Sequence, residues 1–178
     1  MNWQMILAGF GGQGMLFLGQ LLAYGAMEEG KNTTWMPSYG PEMRGGTANC
    51  TVVISNKPVS SPIVGRPNLL VAMNLPSLAK FENTVQKDGF LFVNSSLINK
   101  EVNRDDINVI KIPANEIAEQ LGSPKAANMV ILGAILGKTK CLELETIYQF
   151  LEKKNPRKEI FESNIKAIEK GMEFALNN

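Results

Sequence analysis

An apolar run over residues 3–8 breaks into Gly9-Phe10-Gly11-Gly12-Gln13-Gly14, and an apolar-periodic segment over residues 15–26 follows at once. No other stretch restricts the fold so strongly. It predicts strand, tight turn, helix, because glycines permit a reversal that side chains would block. They also let a negative charge approach the free N–H groups at a helix start. Gly9, Gly11, Gly12, Gln13 and Gly14 are therefore candidate ligand contacts, with phosphate as the expected group. The alternative is that the glycines only let the helix pack close to a sheet, with Gln13 an ordinary polar first-turn residue.

The surroundings narrow the choice. A dinucleotide-binding unit wants an acidic residue about 20 positions further on, at the end of its second strand. Here that region reads Asn32-Thr33-Thr34-Trp35-Met36, without an acid, which disfavours NAD. Nor is this a P-loop, since Met15 follows Gly14 where lysine is required.

The next strand, over residues 32–36, is expected to run parallel to the first through a right-handed crossover. It leads into Pro37-Ser38-Tyr39-Gly40-Pro41-Glu42-Met43-Arg44-Gly45-Gly46, too rich in proline and glycine for a regular element. A loop there leaves the carboxyl end of the second strand, the edge at which open α/β sheets bind ligands. Arg44 can grip phosphate or carboxylate in two-pronged fashion, and Tyr39 can stack or donate a hydrogen bond. Gly45 and Gly46 leave room for a close neighbour. Against this stands a plain surface loop with Glu42 and Arg44 as a solvated ion pair, worth under ~1 kcal/mol.

Downstream, residues 47–54 alternate with Ala48, Cys50, Val52 and Ile54 on one face. An antiparallel hairpin with residues 59–61 is expected after the Ser55-Asn56-Lys57-Pro58 turn. Further strands are expected over 68–74, 90–93 and 107–112, with a short helix over 76–85 between the first two. The last third reads as helices over 114–121, 124–137 and 142–154, then a final one striped with Phe161, Ile165, Ile168, Met172 and Ala175. Ser123-Pro124 and Asn155-Pro156 are the expected caps. The order predicts a three-layer α/β/α domain, its sheet mixed but mostly parallel, with one antiparallel hairpin. At 178 residues, one domain spanning 1–178 is expected.

Composition bounds the chemistry. A net charge of +1 argues against nucleic-acid and membrane-surface partners. No apolar run approaches the ~18 residues of a membrane span, and the N-terminus lacks the basic start of a secretory signal. A cytoplasmic setting is expected. There is no histidine, which removes Ser-His-Asp and Cys-His catalysis. Two cysteines are too few for a disulfide framework or a four-thiolate iron–sulfur cluster. Cys50, on a buried strand face, reads as inert core. Cys141, near Lys138 and Lys140, has either a lowered pKa or a chance placement. Asn128, in the first turns of its helix, is a ligand contact or a satisfied polar residue.

Together the motifs resemble the gamma subunit of 2-oxoacid:ferredoxin oxidoreductases. The likeness rests on residues 9–14, on Ser38 through Ala48, on Ser60-Ser61-Pro62 and on Pro67-Asn68-Leu69, and it runs over about residues 4–175. The Tyr39 to Gly46 loop is similar to the 2-oxoglutarate and branched-chain branches. The pyruvate branch tends to an Arg-rich ending, and the indolepyruvate branch to Gln where this chain has Met43. The resemblance favours 2-oxoglutarate. It implies a reaction shared among chains: thiamine diphosphate decarboxylates the 2-oxoacid, two electrons pass through iron–sulfur clusters to ferredoxin, and coenzyme A takes the acyl group. Thiamine diphosphate, magnesium and the clusters are then expected on alpha, beta and ferredoxin-like delta partners. This chain would contribute assembly, and coenzyme A phosphates suit its glycine turn and Arg44. A stand-alone nucleotide-binding module and a scaffold without ligand are the competing classes.

Overall fold

The computed structural model describes residues 2–38, 47–154 and 157–178. Strand β1 (Asn2–Phe10) leads through the glycine turn into helix α1 (Met15–Glu28). Gly30, with φ 70°, follows the end of that helix and precedes β2 (Asn32–Ser38). Next come β3 (Thr47–Ser55), β4 (Leu69–Ala72), α2 (Leu75–Phe81), β5 (Phe90–Asn94) and β6 (Asn108–Ile112). Helices α3 (Ala114–Gln120), α4 (Ala127–Thr139), α5 (Leu144–Lys154) and α6 (Lys158–Asn177) complete the chain.

The sheet order is β2-β3-β1-β4-β5-β6. β1 pairs in parallel with β4, β4 with β5 and β5 with β6, whereas β3 runs antiparallel to both β1 and β2. The expected mixed and mostly parallel sheet is therefore present, with β3 alone reversed. Alternation divides each strand between two cores. Met5, Leu7, Cys50, Val52, Leu69, Val71 and Phe92 face the cluster shared with α1 and α4. Ile6, Ala8, Val53, Leu70, Ala72, Leu91 and Val93 face the cluster with Leu78 and Val85. The layers are unequal. Helices α1 and α3 to α6 contribute buried residues to the first cluster, while α2 serves the second with irregular chain around Ile98. Burying each large aliphatic side chain stabilises by ~1.5–3 kcal/mol, so α4, buried from Ala127 through Gly137, anchors the helical layer.

The parallel direction expected for β2 holds, with β3 lying between it and β1, and two other expectations need correction. The reason is polarity. β3 is buried through Cys50, Val52, Val53 and Ile54, so it takes the interior position. The partly exposed Asn32-Thr33-Thr34 stretch is left for the edge. The hairpin accordingly joins β2 to β3, and residues 59–61 form no strand. Pro58 and Pro62, without N–H donors, suit a strand there poorly; the segment is fastened by Thr51 Oγ1 donating to Pro62 O at 3.1 Å. Ser123 does not cap its helix through its side chain. A 3-10 helix, Pro124–Ala126, precedes α4, the Ser123 carbonyl accepts from Ala126 N at 2.8 Å, and the hydroxyl pairs with that of Ser163. The expected Asn155-Pro156 cap lies outside the described residues. Among those described, no helix is long and apolar enough to cross a membrane.

Candidate functional site

The turn after β1 is closed by Gln13 N donating to Phe10 O at 3.1 Å. Gly12 (φ 96°) and Gly14 (φ 74°) occupy the left-handed region that L side chains avoid. Gly14 is the N-cap residue of α1 and brings no side-chain acceptor, and the first turn holds no acid. The first intrahelical bond runs from Leu18 N to Gly14 O at 2.9 Å. The amides of Met15, Leu16 and Phe17 therefore have no partner within the helix. Uncapped, at the positive end of a 14-residue dipole, they favour an anion.

Topology puts this turn at the edge where a ligand fits. β1, β4, β5 and β6 are parallel, so their carboxyl ends share one rim. From β1 the chain crosses through α1 toward β2 on one side; from β4 it crosses through α2 to β5 on the other. The β1/β4 boundary is thus a topological switch point, the edge at which open α/β sheets bind ligands. Thr47, the Cα partner of Phe10, begins β3 at the same rim, and Ser38 ends β2 opposite Asn49. Tyr39, Arg44, Gly45 and Gly46 lie outside the described residues.

Of the glycines, Gly9 and Gly14 have a further reason to be glycine. A Cβ on Gly9 would lie 2.7 Å from Gln13 Oε1 and 3.1 Å from Met73 Cβ. A Cβ on Gly14 would overlap the Asn128 amide. Asn128 is nearly buried, and its Nδ2 donates to Gly14 O at 3.4 Å. It is a satisfied polar residue that seats the start of α4 against the turn. The Gln13 side chain is folded inward: its Oε1 accepts from Phe10 N at 2.6 Å, and its Nε2 donates to Met73 O at 3.4 Å.

Sequence reasoning overlooked two residues at this rim. Asn74, just past β4, donates to Gln13 Oε1 at 3.3 Å and accepts from Ser77 N at 2.9 Å. Asn94, the last residue of β5, donates to Met73 O at 3.4 Å and to Asn115 Oδ1 at 2.8 Å. The signal was legible: each asparagine ends an apolar run at the carboxyl end of a parallel strand, the ligand-facing edge.

The cysteines carry no reactive chemistry. Burial pushes the Cys50 thiol up to about 12, despite a contact with Trp35. Burial raises the Cys141 thiol as well, outweighing Thr139 and Lys31. The lowered pKa considered for Cys141 is thus overturned by desolvation. Among the described residues, no group of three His, Cys, Asp or Glu could hold a metal ion.

A family model described as pyruvate ferredoxin/flavodoxin oxidoreductase matches residues 4–174. The chain belongs to this family. Within it, the chain is a gamma subunit of the 2-oxoacid:ferredoxin oxidoreductase type. Ketoisovalerate oxidoreductase subunit VorA of Methanothermobacter thermautotrophicus is 41% identical over 97% of the gamma chain, which spans only 36% of that protein. 2-Oxoglutarate synthase subunit KorC of Methanocaldococcus jannaschii is 33% identical, with 98% of this chain and 95% of that one covered. The structure of a keto/oxoacid ferredoxin oxidoreductase gamma subunit from Geobacter sulfurreducens superposes with TM-score 0.85 at 28% identity, covering 99% of each chain. The same fold recurs at TM-score 0.91 and 20% identity in 2-oxoglutarate:ferredoxin oxidoreductase from Magnetococcus marinus, with 99% of the gamma chain covering 31% of that one.

Proposed function

We propose that this gamma chain serves a complex that oxidises a 2-oxoacid to acyl-coenzyme A and carbon dioxide, reducing ferredoxin, and that its share is assembly and coenzyme A binding. The observation that carries the second role is the uncapped start of α1 at a glycine turn, on the switch-point rim of the sheet. Three amides without a partner inside the helix, together with the helix dipole, suit the phosphates of coenzyme A. Arg44, on the connection between two strand ends at that rim, is the cation that would pair with them. The Magnetococcus enzyme is described with coenzyme A and succinyl-coenzyme A bound, which agrees with this reading.

The rest of the chemistry belongs to companions. Thiamine diphosphate with magnesium would supply the chemistry for decarboxylating the 2-oxoacid, and iron–sulfur clusters would supply the path for the electrons. Two buried cysteines with raised pKa values do not suit a cluster. Alpha, beta and ferredoxin-like delta chains are the expected hosts. That VorA is nearly three times longer over the same match supports a covalent or tightly docked companion.

Two substrates are in play. The loop motif is similar to both branches and the resemblance leans to 2-oxoglutarate, while the higher identity to VorA favours a branched-chain 2-oxoacid such as ketoisovalerate. The complex purified anaerobically, assayed with both acids and with pyruvate, decides between them. Coenzyme A binding is tested by calorimetry on the same complex. Arg44→Ala should weaken it about tenfold or more, the worth of a hydrogen bond to a charged group, and Gly11→Ala should weaken it by setting a methyl where the phosphate approaches the backbone. Unchanged affinity in both variants rejects the assignment.

A further inference from the structure

We infer that a directed relay of side-chain amides, from Asn74 through Gln13 to the glycine turn, positions that turn for its anion, with Asn74 the positioning residue. The inference rests on the coenzyme A reading above and concerns side-chain amides that are engaged with protein groups.

The relay has a fixed polarity because backbone groups set both ends. Ser77 N–H must be met by an acceptor, and Asn74 Oδ1 meets it at 2.9 Å. That orientation leaves Asn74 Nδ2 to donate onward to Gln13 Oε1 at 3.3 Å. The same Gln13 oxygen accepts from Phe10 N at 2.6 Å, inside the turn itself. Gln13 Nε2 is then turned toward Met73 O at 3.4 Å. Reversing either amide would set donor against donor or oxygen against oxygen, so the alternative orientations are excluded together.

The relay is also tied to the sheet. Met73 N donates to Ala8 O at 2.9 Å, joining the end of β4 to β1. Its carbonyl is shared with Asn94 Nδ2 at 3.4 Å, and Asn94 reaches Asn115 at the start of α3. Asn74 and Asn94 are buried, so solvent does not substitute for these partners. The turn is therefore held from the ends of β4 and β5 as well as by the bonds between its own Phe10 and Gln13.

Chemistry explains why these are amides. A carboxylate at position 74 would cap α2 as well as asparagine does. It could not donate to Gln13, and it would put negative charge close to a site meant for an anion. Neutral amides supply both donor and acceptor without a charge that opposes the ligand.

The experiment uses the assembled complex and coenzyme A as the probe. Asn74→Ser keeps a neutral cap for α2 and removes the donor to Gln13. The dissociation constant for coenzyme A should rise about tenfold, with the effect on KM for coenzyme A rather than on kcat, and with the melting temperature little moved. Should Asn74→Ser lose stability, Gln13→Met breaks the same link and leaves the α2 cap alone; it should show the same rise. If Arg44→Ala weakens binding while Asn74→Ser and Gln13→Met do not, the relay is structural only and the inference is overturned. If all three leave affinity unchanged, the coenzyme A assignment itself has failed.

Discussion

Gly14 shows two constraints meeting at one residue. Its φ of 74° would cost an L residue about 1–2 kcal/mol. Independently, a Cβ there would run into the Asn128 amide. Gly14→Ala should therefore destabilise by more than the backbone alone accounts for, lowering the melting temperature by roughly 2–4 °C per kcal/mol. The two contributions can be separated. In an Asn128→Ala background the overlap is gone, so the same substitution should cost only its backbone share. A double-mutant cycle read by thermal unfolding measures the difference. Equal costs in both backgrounds would mean that Asn128 yields freely and does not seat α4 on the turn.

The crossing of α4 and α6 sets helix propensity against packing. A Cβ on Gly133 would overlap the carbonyl of Ile168, and a Cβ on Gly171 would overlap that of Val130. Each glycine lies against the backbone of the other helix, so no side-chain rotation relieves the clash. Propensity alone predicts that Gly133→Ala stabilises by about 1 kcal/mol. Packing predicts a net loss of roughly 1–3 kcal/mol. We expect packing to win in urea unfolding, and Gly133→Ala/Gly171→Ala to cost less than the sum, because helices once parted accommodate both methyls. A stabilised single variant would refute this crossing. The α6 stripe of Phe161, Ile165, Ile168, Met172 and Ala175 was legible because period 3.6 marks a buried face wherever the partner lies. The fully apolar β4 was legible for a similar reason, since burial on both sides leaves no polar alternation. The glycine turn, strand before and helix after, could likewise be read directly. Strand neighbours could not. Whether β2 or β3 adjoins β1 is settled by competition between strands for the interior, which no local window contains. The amide relay was hidden similarly, because residues 13, 74 and 94 meet only after the parallel strands have aligned their ends.

On the scale of the whole molecule, we propose that residues 1–178 unfold as one unit, and the two cysteines offer a way to measure it. Cys50 sits in β3 beneath α1, its Sγ 3.4 Å from Met15 O; Cys141 sits where α4 passes into α5. Both are fully buried in the same core cluster. Burial also holds both as neutral thiols, which react slowly with alkylating reagents. Neither should be labelled by iodoacetamide in the native protein over hours. As denaturant is raised, both should become labelled at one common rate, that of global opening. Mass spectrometry of the two cysteine peptides reads each rate separately. If Cys141 labels well before Cys50, the helical end opens by itself, and the single-unit proposal fails. The same measurement bears on assembly. A companion chain that binds only the folded gamma subunit lowers the open population by mass action, so it should slow both cysteines by the same factor. Protection of only one would confine the companion's effect to a local opening around that cysteine.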